Sequence, residues 1–149
     1  MWSAECGLVL VVTTASSVLC RLDRLRSIAD MTTKELKERT FQFGIRVLRV
    51  LECLPKSDIA RVLGQQLLRA GTSVGANYRA VARARSLADF TAKMDIVEEE
   101  CDEALFWMEL LVALKLVKRP RLSNLLIEGD ELLAIVVSSI NTARRRPRR

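Results

Sequence analysis

The chain has 149 residues, half of them apolar, with only six glycines, three prolines and no histidine. That composition suits one domain of long helices better than a many-stranded sheet, and the missing histidine removes the commonest general base and the commonest zinc ligand. A net charge of +6 favours an anionic partner, either nucleic acid or an acidic protein surface, while four scattered cysteines without a CxxC pair argue against a disulfide framework and for a reducing cytoplasm.

Residues 1–30 differ from the rest. Their apolar run, GLVLVVTTASSVLC, is too short to span a bilayer. Glu5 precedes it and Arg21 follows it, so the basic start of a signal peptide is missing. We read residues 1–30 as a leader that is disordered or lies upstream of the true start. Met31 opens the better-formed segment, and the bundle is expected over residues 31–144.

Thr32 and Glu35 have capping-box spacing and start the first helix. Leu36, Phe43, Val47, Val50 and Leu54 form its apolar stripe, and Pro55 ends it. Ser57 or Asp58 caps the second helix. Leu63, Leu67, Ala70, Val74, Tyr78 and Val81 recur at threes and fours and share one face. Gln66, Ser73 and Asn77 run along the edge of that face, while Gly71 and Gly75, one turn apart, leave room for a neighbouring backbone. The helix reaches toward Ala82 or Ala84, long enough that a break or bend at residues 71–75 is expected.

Ser86 and Asp89 repeat the capping-box spacing and open the third helix. Phe90, Met94, Val97, Cys101, Ala104, Met108 and Leu111 alternate steps of four and three, a heptad seam for shallow helix packing. Val117 lies near its end, and Lys118, Arg119 and Pro120 form the next break. The fourth helix carries Leu122, Leu126, Leu133, Val136 and Ile140. The basic tail at residues 145–149 has no apolar content and is expected to be disordered. Short connections make successive helices antiparallel, so the expected fold is an all-α, up-down-up-down four-helix bundle. Leu67, Val74, Val97, Cys101, Met108, Leu126 and Val136 should lie largely in its core.

Charge is segregated along the chain. Residues 86–117 hold eight acidic and two basic residues, a net −6, whereas residues 57–85 carry +4 and residues 118–149 carry +5. Carboxylates one turn apart, such as Glu98 with Asp102 or Glu99 with Glu103, share a helical face. A di-metal bundle would also need Glu-x-x-His on facing helices, so we assign no metal and no cofactor. Ser73 and Asn77 lack a base and a preceding strand, and the sequence offers neither a glycine-rich phosphate loop nor a nucleophile motif. No catalytic residue and no small-molecule substrate are assigned. Trp107 belongs to the core or an interface, since its own helix is acidic.

Two sets of residues are candidates for binding. Arg39, Arg46 and Arg49 lie to one side of the first helix's stripe, and Arg61, Arg79 and Arg83 cluster on the second helix. Merged, they would offer a patch to a phosphate backbone; the competing reading pairs them with the acidic third helix. Arg69, Ser73, Asn77, Glu99 and Asp102 are the candidates for a contact between copies of the chain.

The segments QLLRAGTSVGANYRA, RARSLADFTAK, IVEEECDEALFWMELL and EGDELLAIVVSSINTAR fall in order over residues 34–144. Together they resemble the four-helix-bundle proteins called 23S ribosomal-RNA intervening-sequence proteins. That family in turn resembles the accessory proteins of diversity-generating retroelements, basic barrel-like pentamers that bind nucleic acid and a reverse transcriptase. The resemblance implies a bundle, a homopentamer and association with RNA or DNA. The alternative is a structural or protein-interaction module that binds no nucleic acid.

Overall fold

The computed structural model describes residues 31–145. The expected leader lies outside them, as does the expected tail apart from Arg145, which caps the last helix. Four α-helices follow one another: α1 (Thr33–Glu52), α2 (Asp58–Val81), α3 (Leu87–Ala113) and α4 (Arg119–Arg144).

The caps follow from the local sequence. Thr32 and Glu35 form the full capping box before α1, with Glu35 N–H donating to Thr32 Oγ1 at 3.2 Å and Thr32 N–H to Glu35 Oε2 at 2.7 Å. Ser57 caps α2 by accepting from Ala60 N–H at 3.2 Å. At α3 only half of the expected box forms. Ser86 Oγ accepts from Asp89 N–H at 3.1 Å, but the Asp89 carboxylate reaches past the cap to Arg85 N–H at 2.9 Å.

Two expected boundaries are corrected. Gly71 and Gly75 do not break α2, which runs unbroken for 24 residues. The end of α3 comes at Ala113, ahead of Val117, where Lys115 takes a left-handed conformation with φ 57°. Lys115 N–H then donates to Val112 O at 2.9 Å and Leu116 N–H to Leu111 O at 3.0 Å, the pair of bonds that closes a Schellman turn. Pro120 belongs to the first turn of α4, where a missing N–H leaves no bond unmade.

Successive helices run antiparallel. Gly64 lies against Leu51 and Leu54, Gly71 against Val47 and Gly75 against Thr40, so α1 and α2 are read in opposite directions. In the same way Asp95 bonds Arg144 while Leu105 covers Gly129 across α3 and α4. Of the four neighbouring pairs, α1 and α4 share the least contact. At the α1–α2 crossing the backbones nearly touch, because Thr40, Gly44, Gly71 and Gly75 put small groups at the closest points. A Cβ on Gly75 would stand 3.1 Å from the Thr40 carbonyl oxygen.

Phe43, Leu67, Met94, Met108, Leu111, Leu122, Leu132 and Ile140 are the largest fully buried side chains. Of the expected core, Leu67, Val74, Val97, Cys101, Met108 and Val136 are buried. Leu126 is only half-buried, as is Leu133; Leu125, Gly129 and Leu132 take the interior positions instead. The register of α4 is rotated because Leu105 and Phe43 pack down onto Gly129, which fixes that side of the helix inward. Val50, Leu54, Leu63 and Phe90 likewise sit at the margins, half-buried.

Candidate nucleic-acid interface

The six arginines expected to bind phosphate do not form one surface. Arg39 points along α1 into α4. Its Nε donates to Glu128 Oε1 at 2.7 Å and its Nη2 to Glu128 Oε2 at 3.1 Å, and it also bonds Glu131. Burial works against the charged guanidinium, but these two carboxylates outweigh it and hold the Arg39 pKa above its ordinary value. Arg39 is therefore a half-buried tie between α1 and α4. The competing partner for the arginines was α3, yet here the acids come from the otherwise basic fourth helix.

Arg61 makes an exposed ion pair with Asp58 at 3.2 Å. Arg79 lies 5.3 Å over the Phe41 ring, a cation–π contact that lets the guanidinium cover an exposed aromatic. Arg83 is exposed just beyond α2. The apolar residues Phe41, Ile45 and Leu48 on α1, at steps of four and three, lie between this α2 group and the arginines at the end of α1.

Arg46 and Arg49 meet a residue that sequence reasoning passed over. With Arg121 of α4 they line a cleft of about 400 Å³ at the α1–α4 seam, whose floor is Val50, Cys53, Val117, Leu122 and Leu125. Arg46 is half-buried; Arg49 and Arg121 are exposed. Among the described residues, none of the three has a carboxylate within ion-pairing distance. The sequence signal for Arg121 was the Lys118-Arg119-Pro120-Arg121 start of α4, a first turn with no acidic residue and no side-chain cap. Such a turn leaves its positive dipole end without an acidic side chain, and the added cations make it more attractive to an anion.

The residues expected at a contact between copies lie along α2 and α3. Arg69 is committed within its own chain, to Glu103 and, at 3.5 Å, to Glu100. Ser73 and Asn77 are half-buried and, among the described residues, make no side-chain hydrogen bond; Glu99 and Asp102 are exposed on α3. Hydrogen bonds from Arg69 and from Trp107 Nε1, at 3.0 Å, hold the Glu103 carboxyl below its ordinary pKa. Burial pushes Glu100 the other way, against the pull of Arg69 and with Glu103 and Glu99 adding to it. Its Oε2 is buried and, among the described residues, has no hydrogen-bond partner. Trp107 is half-buried and meets Phe106 edge-on at 4.9 Å.

Among the described residues no group of three or more Cys, Asp or Glu is placed to hold a metal ion, and no helix is long and apolar enough to cross a membrane. Cys101 is fully buried, and desolvation first, then the neighbouring carboxylates, push its thiol up to about 12.

Fold and cleft together define a small antiparallel four-helix-bundle protein with an unopposed arginine cluster at one seam. Residues 32–138 match the model of the 23S rRNA-intervening sequence protein family, and the chain belongs to that family. It is also similar to a crystal structure from Bacteroides thetaiotaomicron, described as a protein with unknown function from the S23 ribosomal protein family. The two share 30% identity with a TM-score of 0.66, over 70% of this chain and 97% of that one. No curated protein matches the chain.

Proposed function

We propose that this protein is non-enzymatic and works in the cytoplasm as a homo-oligomer, a cyclic pentamer in the simplest case, that associates with RNA or DNA. The observation that carries the nucleic-acid part is the convergence of Arg46, Arg49 and Arg121 on one cleft without a carboxylate to neutralise them. Among the described residues the arginines with a carboxylate partner use it within the chain: Arg39 with Glu128 and Glu131, Arg61 with Asp58, Arg69 with Glu100 and Glu103, Arg144 with Asp95. Charges that remain after internal pairing are the ones free to meet phosphates. The family description names 23S rRNA, which makes structured RNA the first probe. In an oligomer several such clefts act on one polymer, so weak individual contacts add.

The test is fluorescence anisotropy with a labelled RNA hairpin and a DNA duplex across a salt series. Affinity should fall steeply with salt through counterion release. Replacing Arg46, Arg49 and Arg121 with Ala should weaken binding to all sequences and flatten the salt slope by about one for each phosphate no longer neutralised. No binding of the unaltered protein at low salt would refute nucleic-acid association and leave a protein-interaction module.

A further inference from the structure

Among the exposed apolar side chains of the described residues, two groups form faces with opposite charged surroundings. The first lies on α2 and α3. Trp107, Leu110 and Leu114 recur at steps of three and four along α3, with Phe106 beside them, on the side opposite its buried heptad seam. Phe106 is 53% and Leu114 50% exposed. The Arg69 pairs with Glu100 and Glu103 set the register between α2 and α3. One heptad further, Val62 on α2 comes level with Trp107 and Leu110, and Ile59 extends the patch toward the end of the bundle. Val62 is 47% and Ile59 64% exposed. The second face is on α1, where Phe41 and Leu48 are exposed on either side of half-buried Ile45.

Their charged surroundings are opposite. The α3 face is bordered by exposed Glu99, Asp102 and Glu109 against Lys115, and the exposed Arg69 on it is already paired with Glu100 and Glu103. The α1 face is bordered by exposed Lys34, Lys37, Arg79 and Arg83, against Glu38 and Glu52. Arg79 already leans over Phe41. Two acidic faces meeting each other would oppose like charges across desolvated apolar surface, whereas the acidic face meeting the basic one pairs them.

We propose that the α2–α3 face of one copy, centred on Val62, Phe106 and Leu110, docks on the α1 face of a second copy, centred on Phe41 and Leu48. This assignment rests on the homo-oligomer reading above and names the surfaces that build it. The contact is heterologous: each copy offers one face and receives the other. Repetition of such a contact closes into a ring when the rotation allows it. The hydrogen-bonding edge of half-buried Ser73 and Asn77 continues the first face along α2 and provides polar partners around its apolar centre. None of the residues that line the arginine cleft at the α1–α4 seam belongs to either face.

Phe106→Glu and Leu48→Glu separate the two faces. Both side chains are exposed, so circular dichroism should show unchanged helix content; Ile59→Glu and Phe41→Gln form a second pair read in the same way. By light scattering the unaltered protein should exceed the 16.8 kDa of one chain, and each variant alone should fall to that mass. An equimolar mixture of the two variants should return to twice the single-chain mass, because each retains the face the other has lost. The mixture is measured at high concentration, since a single contact lacks the reinforcement of ring closure. A single-chain mass for the unaltered protein removes the homo-oligomer itself. If the protein is oligomeric and either variant keeps the full mass, the oligomer stands and this choice of faces falls. A mixture that stays at single-chain mass overturns the head-to-tail pairing.

Discussion

Gly71→Ala tests how closely α1 and α2 cross. A Cβ at position 71 would lie 2.7 and 2.9 Å from the two Val47 methyl carbons and 3.1 Å from Val47 Cβ. Valine is stiff at χ1, and the short distance to its own Cβ means no rotamer clears the clash. The helices must separate by several tenths of an ångström, an overpacking cost of about 1–3 kcal/mol. Alanine regains about 1 kcal/mol of helix propensity over glycine. The net expectation is a loss of up to about 2 kcal/mol, or as much as roughly 8 °C in Tm for a domain of this size. In a Val47→Ala background both methyl obstacles are gone and only the 3.1 Å approach to Cβ remains, so the same change should cost less or be neutral, a coupling of about 1–2 kcal/mol in the double-mutant cycle. Gly44→Ala is the internal control. Its nearest contact, the Gly71 carbonyl oxygen at 3.4 Å, is an ordinary one, so propensity should dominate and Tm should hold or rise. Thermal unfolding followed by circular dichroism reads all four variants. Simple additivity of Gly71→Ala with Val47→Ala would refute the close crossing.

Leu67 is fully buried, so Leu67→Ala should cost about 2–5 kcal/mol in denaturant unfolding; an unchanged curve would place it on the wrong face. Lys115→Gly should stabilise by about 1 kcal/mol, because Gly takes the left-handed position at the end of α3 without the Cβ strain that Lys bears. Glu100 and its neighbours set opposite pH responses. With its folded pKa raised by burial, charged Glu100 opposes folding near neutrality, so stability should rise as pH falls through that raised value toward the ordinary 4.5. Glu103 and Asp89, held low by Arg69 and by Lys93, give stability that is present above the ordinary carboxylate range and lost as pH falls through their lowered values. A Tm–pH profile should therefore peak on the acid side of neutrality, and Glu100→Gln should remove the rise. Under native conditions iodoacetamide and mass spectrometry should find exposed Cys53 alkylated and buried Cys101 untouched; modification of Cys101 without unfolding would contradict its burial.

Much of the bundle was legible in the sequence because it depends on local rules. Capping at Thr32, Ser57 and Ser86 needs only a side chain within three residues of an orphan N–H, and the α3 seam needs only a sustained heptad. Both are properties of one helix and survive whatever packs around it. The four helices, their order and most of the core on α2 and α3 followed from this.

The tertiary structure decided what depends on a second helix. On α4 apolar residues occupy several faces, so periodicity allowed more than one frame; Gly129 beneath Leu105 and Phe43 selected the frame that buries Leu125 and Leu132 in place of Leu126 and Leu133. The arginines show the same limit. Nothing local distinguishes Arg39 from Arg46, one heptad apart on the same side of α1. Only the position of Glu128 and Glu131 on the opposing helix ties up the first, and only the approach of Arg121 from α4 gathers the second into an unopposed cleft. A charge becomes available to a partner when folding leaves it without a counter-ion, and which counter-ions fold toward it is set by helix packing across about 90 residues of chain.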